Sequence, residues 1–262
     1  MNGRPAPPKL WAPDVLVRRR KRQIARFLKW AGQRERAGRS LRWSQRQDIK
    51  EAAEACALFQ EPWWGLVVFT CFGRIEGARF VASRFRRPRP DAARVLASVD
   101  LPPGILGHDR AQAGHRGARM ALVSACLRAP EFEEVLLHGQ GFGQRYERLR
   151  GMRASYWGRR SCFDLTLRAG ALALGGQRYG PDRAYLDTAP ARGFLEVTGV
   201  PLTASTAEWC EAFLIWWSEH WDEVAEQSGT PWDAGSPYEP GDFENALCAY
   251  QEDLRRGDLD RR

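Results

Sequence analysis

Thr203-Ala204-Ser205-Thr206-Ala207-Glu208-Trp209-Cys210-Glu211-Ala212-Phe213-Leu214-Ile215-Trp216-Trp217-Ser218-Glu219-His220-Trp221-Asp222-Glu223-Val224 decides the fold class. Trp209, Phe213, Trp216, Trp217, His220, Trp221 and Val224 recur every three or four residues, the spacing that lines one face of an α-helix, and the Thr/Ser run ahead supplies an N-cap. Aromatic residues at that spacing belong to a core between helices; a stacking platform for a nucleic-acid base is the alternative.

The same period runs through most of the chain. From Asp14 to Ala37, Leu16, Ile24, Phe27, Leu28 and Ala31 fall on one side and Arg18, Arg19, Arg22 and Arg26 elsewhere, which predicts one basic amphipathic helix. Ser44 with Gln47 resembles a capping box that opens a second helix toward Phe59. The apolar run Trp63 to Phe72 fits a buried helix or a strand, and helix is preferred. Residues 110–128 read as a helix with Met120, Val123 and Leu127 inward. Arg84-Phe85-Arg86-Arg87-Pro88-Arg89-Pro90 combines prolines with charge and reads as an exposed connection, suited to a DNA backbone. His138-Gly139-Gln140-Gly141-Phe142-Gly143 is a Gly-rich turn. It matches no phosphate-binding fingerprint, so a plain helix link is preferred to an anion cradle. The expectation is an all-α protein: residues 1–13 flexible, one helical domain over 14–256, a lobe boundary near 84–90 if there are two lobes with a cleft between them, and a tail at 257–262.

With 262 residues, 44% hydrophobic and 27% charged, the chain can bury a large core without disulfides or metal. Its longest apolar run is too short for a bilayer, and Pro5, Pro7 and Pro8 precede basic residues where a signal peptide needs an apolar stretch. No membrane partner is expected, and the cytoplasm is the expected compartment. Six cysteines (56, 71, 126, 162, 210, 248) and four histidines show no metal-ligand spacing, so no metal is expected; Cys248 is the best-placed thiol.

Charge is segregated. Residues 1–50 hold 15 Lys/Arg against three acids, residues 51–204 hold 21 against 15, and residues 205–262 hold four against 14. A basic body of this kind fits a polyanion such as DNA. All four lysines lie at or before Lys50, so later motifs have arginine alone, which clamps anions and forms no imine.

Two motifs stand out. Tyr185-Leu186-Asp187-Thr188-Ala189-Pro190-Ala191-Arg192-Gly193 joins an acid to an arginine, and Phe243-Glu244-Asn245-Ala246-Leu247-Cys248 places a Glu-Asn pair on a short helix. The turn and helix from Leu149 to Gly170, with Asp187 following, is similar to the helix-hairpin-helix DNA glycosylase superfamily, with Arg153 in place of the hairpin's second glycine. Glu244 to Cys248, with Asp187, Pro190, Arg192 and Gly193, resembles an offshoot: the phage alpha-glutamyl/putrescinyl thymine pyrophosphorylases and amino-acid:DNA transferases.

That resemblance implies a DNA glycosylase-like helical fold. It implies as substrate double-stranded DNA carrying 5-hydroxymethyluracil as its pyrophosphate ester, with an amino acid or polyamine displacing the pyrophosphate and no cofactor. Asp187 or Glu244 would then take the proton of the amine or support charge at the C5 methylene, and Asn245 would read the base. Arg192, Arg159 and Arg160, with Arg145, would bind the pyrophosphate. The alternatives are a monofunctional glycosylase using Asp187 and a non-catalytic helical DNA-binding protein.

Overall fold

The structure is a computed structural model that describes residues 11–43, 47–97, 100–107, 114–182, 185–186 and 188–258. Among these residues the regular structure is helical and contains no strand. In chain order the helices are α1 (Pro13–Arg19), α2 (Lys21–Arg36), α3 (Gln47–Ala57), α4 (Pro62–Phe72), α5 (Ile75–Ala82), α6 (Ala92–Ala97), α7 (Gly114–Leu127), α8 (Ala129–His138), α9 (Gly141–Gly151), α10 (Arg159–Ala171), α11 (Thr188–Thr198), α12 (Ala207–Glu219), α13 (Trp221–Ser228) and α14 (Asp242–Arg256). None is long and apolar enough to cross a membrane.

The chain divides into two compact units, one built from both ends (1–45 and 181–262) and one from the middle (46–180). In the first, α1 and α2 join α11 to α14 around an aromatic core. Phe27 meets Trp217 at 5.8 Å and Tyr250 at 5.3 Å, Trp217 meets Phe243 at 5.2 Å, and Trp221 meets Tyr238 at 5.2 Å. The Trp-rich stretch therefore is core, though Trp209 and Trp216 stay half-buried. Its helix is interrupted at His220 (φ −114°), whose ring stacks on Trp216 at 4.7 Å. The N-terminal basic helix is likewise two helices. Arg20 leaves helical geometry (φ −105°) and donates to the carbonyls of Val197 and Glu196, closing the C-terminal end of α11 where main-chain acceptors have no helical partner. Gly193 brings α11 and α14 together: a Cβ there would lie 2.1 Å from the Leu247 carbonyl oxygen.

The second unit is organised on α4. Pro62 starts this helix and Gly73 stops it in the left-handed conformation (φ 72°), the N-terminal proline and C-terminal glycine that helix ends favour. Every residue from Trp63 to Phe72 is buried, because α3, α5, α7, α8 and α10 surround it. That explains an apolar run without amphipathic period.

The inward face of α7 differs from expectation. Met120 and Leu127 are exposed and Val123 is half-buried, whereas Gly117, Ala118, Ala121, Leu122, Ala125 and Cys126 face inward. Apart from Leu122 the inward side chains are small, and Met120 and Leu127 are left outside. Residues 84–90 form the exposed connection between α5 and α6, pinned by buried Phe85. The glycines at 139 and 141 link α8 to α9. Ser44 lies outside the described residues.

Candidate functional site

The Glu-Asn pair lies on the first turn of α14, where partial positive charge from the unsatisfied N–H groups favours acids. Gly241 precedes the helix because Pro181 packs onto it, leaving 2.0 Å between a Cβ there and the proline Cγ. Asp242 is buried at the helix's first residue. Its Oδ1 accepts the Trp43 N–H at 2.7 Å, its Oδ2 accepts the Glu239 N–H at 2.9 Å, and the Arg42 guanidinium stands at 3.9 Å. Burial pushes the Asp242 carboxyl up to about 6, against the pull of those two amides and Arg42.

Around it, Glu35 accepts from the Leu41 amide at 2.8 Å and the Tyr238 hydroxyl at 3.0 Å, and Glu239 accepts from the Trp43 indole at 2.8 Å. Burial, with the Glu35 charge next, drives the Tyr238 phenol far above its ordinary range. Glu244 is buried (4% exposed) and Asn245 half-buried, its Nδ2 directed at the Leu41 carbonyl at 3.4 Å. This gathers the carboxylates of Glu35 and Asp242 about Arg42, each at 3.9 Å, at the foot of α14.

Asp242, Glu35, Arg42 and Tyr238 did not stand out in the sequence. Asp242 precedes Glu244 by two residues and an acid there at a helix start was readable, but residues 35–43 are some two hundred positions away and no local pattern links them.

The other expected site residues are distributed as follows. Asp187 lies outside the described residues. Arg192 is exposed on α11, next to Gly193, in the same unit as Glu244 and Asn245. Arg159, Arg160 and Arg145 belong to the second unit. Arg159 is exposed at the first residue of α10, and Arg160 pairs with buried Asp164 at 3.1 Å. Arg145 is buried inside its unit (2% exposed). The thiols of Cys56, Cys126 and Cys210 are pushed up by burial, to about 12, 11 and 11, which keeps them protonated and poor nucleophiles. Cys248 is half-buried on α14.

Folding redistributes the segregated charge. The basic start and acidic end lie in one unit, which holds 19 Lys/Arg and 19 Asp/Glu and is formally neutral. Arg34 with Asp253 at 2.9 Å, Arg36 with Asp233, and Arg42 with Asp242 join the two ends of the chain. The second unit holds 21 Lys/Arg against 13 acids and carries the whole net charge of +8. No protein-family model matches this chain, and neither does any curated protein or solved structure.

Proposed function

We propose that this protein modifies a thymine-derived base in DNA, exchanging the pyrophosphate of 5-pyrophosphoryloxymethyluracil for the amine of an amino acid or polyamine. The observation that carries the reading is the buried acid group at the start of α14, where Asp242 and Glu244 are 2% and 4% exposed. An attacking ammonium must lose a proton, and a buried carboxylate is suited to receive one.

In this reaction the amine nitrogen attacks the C5 methylene while the C–O bond to pyrophosphate breaks. The bonding pair leaves with pyrophosphate and the ammonium proton passes to Glu244, or to Asp187, which the sequence resemblance places in the same role. Asn245 reads the uracil edge and Arg192 meets the leaving group. The base is extruded from the duplex before reaction, because a stacked base hides the reacting carbon. The second unit, with its net charge of +8, supplies Arg159, Arg160 and further arginines to the DNA phosphates.

The test is to incubate the protein with DNA containing pyrophosphorylated 5-hydroxymethyluracil and a mixture of amino acids and polyamines, digest to nucleosides and read masses. An amine-bearing thymidine analogue with released pyrophosphate is expected, and Glu244→Gln lowers its rate by about 100-fold or more while DNA affinity stays within about twofold. Free base or abasic sites would replace this reading with a glycosylase. One observation favours a second reading, a DNA-binding protein without chemistry: both oxygens of Asp242 are engaged by main-chain amides of the same unit. Unmodified DNA that is still bound tightly is its signature.

A further inference from the structure

Among the described residues the second unit buries two arginines, and they differ in one respect. Arg168 on α10, 4% exposed, has a carboxylate: its Nε and Nη2 lie 3.2 and 2.9 Å from an oxygen of Asp48, and its Nη1 donates to the Thr70 hydroxyl at 3.2 Å. Arg145 on α9, 2% exposed, has none among the described residues. Its Nε donates to the Val135 carbonyl at 3.2 Å and its guanidinium stacks on the Tyr179 ring at 4.4 Å, but Nη1 is buried without a hydrogen-bond partner.

Carbonyls at the C-terminal end of α8 offset at most about half a charge, and a ring face offsets less than a carboxylate does. A cation removed from water therefore remains substantially uncompensated. Beside it is the Tyr179 hydroxyl, also buried, whose oxygen faces the Arg145 guanidinium and whose own O–H has no acceptor among the described residues. Burial pushes that phenol up to about 12 although Arg145's charge and its hydrogen bond to the phenol oxygen oppose the rise, so it keeps its O–H at neutral pH.

The surroundings are shaped to the guanidinium. A Cβ at Gly139 would lie 2.5 Å from Arg145 Cγ, and one at Gly175 would lie 3.1 Å from Nη2 and 2.4 Å from the Leu137 carbonyl oxygen. Gly175 and Gly176, both exposed and both in the left-handed region (φ 81° and 84°), form the solvent side of the segment between α10 and Tyr179. The backbone thus closes over Arg145 with glycine, the residue that leaves least bulk between it and solvent.

We propose that Arg145 and Tyr179 form a binding site for a small oxyanion, a phosphate or carboxylate group reaching Nη1 and the phenol over Gly175 and Gly176. Arg145 is also among the residues that the family resemblance gives to the pyrophosphate, but the site is argued from its own geometry in the second unit and uses none of the chemistry assigned to α14. Its ligand chemistry has two sources, a phosphate compound or the carboxylate of an amino acid, and the experiment separates them.

The full-length protein is titrated with sodium orthophosphate, pyrophosphate and glutamate, at constant ionic strength set with sodium chloride, and followed by calorimetry and thermal unfolding. Saturable binding of at least one anion is expected. Phosphate or pyrophosphate alone identifies the phosphate source; glutamate alone identifies the carboxylate. Tyr179→Phe, which leaves the protein's charge unchanged, weakens the bound anion about tenfold, and Arg145→Met abolishes binding. Absence of saturable binding by all three anions overturns the proposal, as does unaltered binding in Tyr179→Phe and Arg145→Met together. If Arg145→Met does not fold, the outcome in Tyr179→Phe decides.

Discussion

Single ionisable side chains are the finest scale at which this fold has consequences. Arg168 is buried and its charge is met by Asp48, so removing the carboxylate leaves a cation in the core. Asp48→Ala is expected to lower stability by about 3 kcal/mol in urea unfolding, and the double variant Asp48→Ala/Arg168→Met to recover part of that loss, because both charges are then gone. Asp242 yields a pH dependence of definite sign. Its folded carboxyl titrates at about 6 against an ordinary value of 3.8, so between these values the folded state holds a proton that the unfolded state has lost. The stabilisation is complete below pH 3.8, declines as pH rises and is gone above about 6. Its size is roughly 2–3 kcal/mol, and Asp242→Asn should flatten this part of the stability profile. The sequence makes Glu244 and Asn245 legible as residues of a helix start. It does not reveal Asp242's environment, because burial there is imposed by Trp43, Glu239 and Arg42 from distant positions.

Helix faces are the next scale, and there the sequence was readable wherever burial is one-sided. Ile24, Phe27, Leu28 and Ala31 lie on the buried side of α2 as the period requires, and Phe213, Trp217, Trp221 and Val224 form core across α12 and α13. Helix breaks were harder: Arg20 and His220 are ordinary helix formers whose departures depend on partners, the end of α11 and the Trp216 ring. On α7 the rule that bulky apolar residues turn inward fails for Met120 and Leu127, because the buried face is built, Leu122 apart, from small residues. This has a mutational consequence. Ala121→Leu, on the inward face, should overpack the interface and cost about 1–3 kcal/mol, whereas Leu127→Ala, on a side chain 67% exposed, should change stability by less than about 0.5 kcal/mol. Thermal or urea unfolding of the two variants checks the assignment, and equal losses would overturn it.

At the scale of the whole chain, charge segregation along the sequence has a structural cause. The basic N-terminal and acidic C-terminal segments attract one another into a single neutral unit, through pairs such as Arg34 with Asp253 and the network of Glu35, Arg42 and Asp242. A linear count places the polyanion-binding surface in the first fifty residues. In the folded chain the net charge of +8 belongs instead to the middle unit, so the proposed DNA contact is expected there. Within that unit many surface arginines are matched to acids, as Arg74 is with Glu76, Arg89 with Asp91 and Arg148 with Glu134. Arg84, Arg86 and Arg87 are exposed and have no acidic partner among the described residues. Each phosphate contact made by such a cation releases counterions, so it contributes about 0.9 to the slope of log affinity against log salt on duplex DNA. The triple variant Arg84→Gln/Arg86→Gln/Arg87→Gln should therefore reduce that slope by roughly 2–3 and weaken DNA binding at low salt. The matched change Lys21→Gln/Arg22→Gln/Lys29→Gln, on the exposed side of α2 in the neutral unit, should reduce it by less than about 1. Fluorescence anisotropy with a duplex oligonucleotide over a salt series distinguishes the two. A larger effect from α2 would return the polyanion surface to the N-terminal segment, and equal slopes in all three proteins would remove DNA phosphates as the partner of either surface.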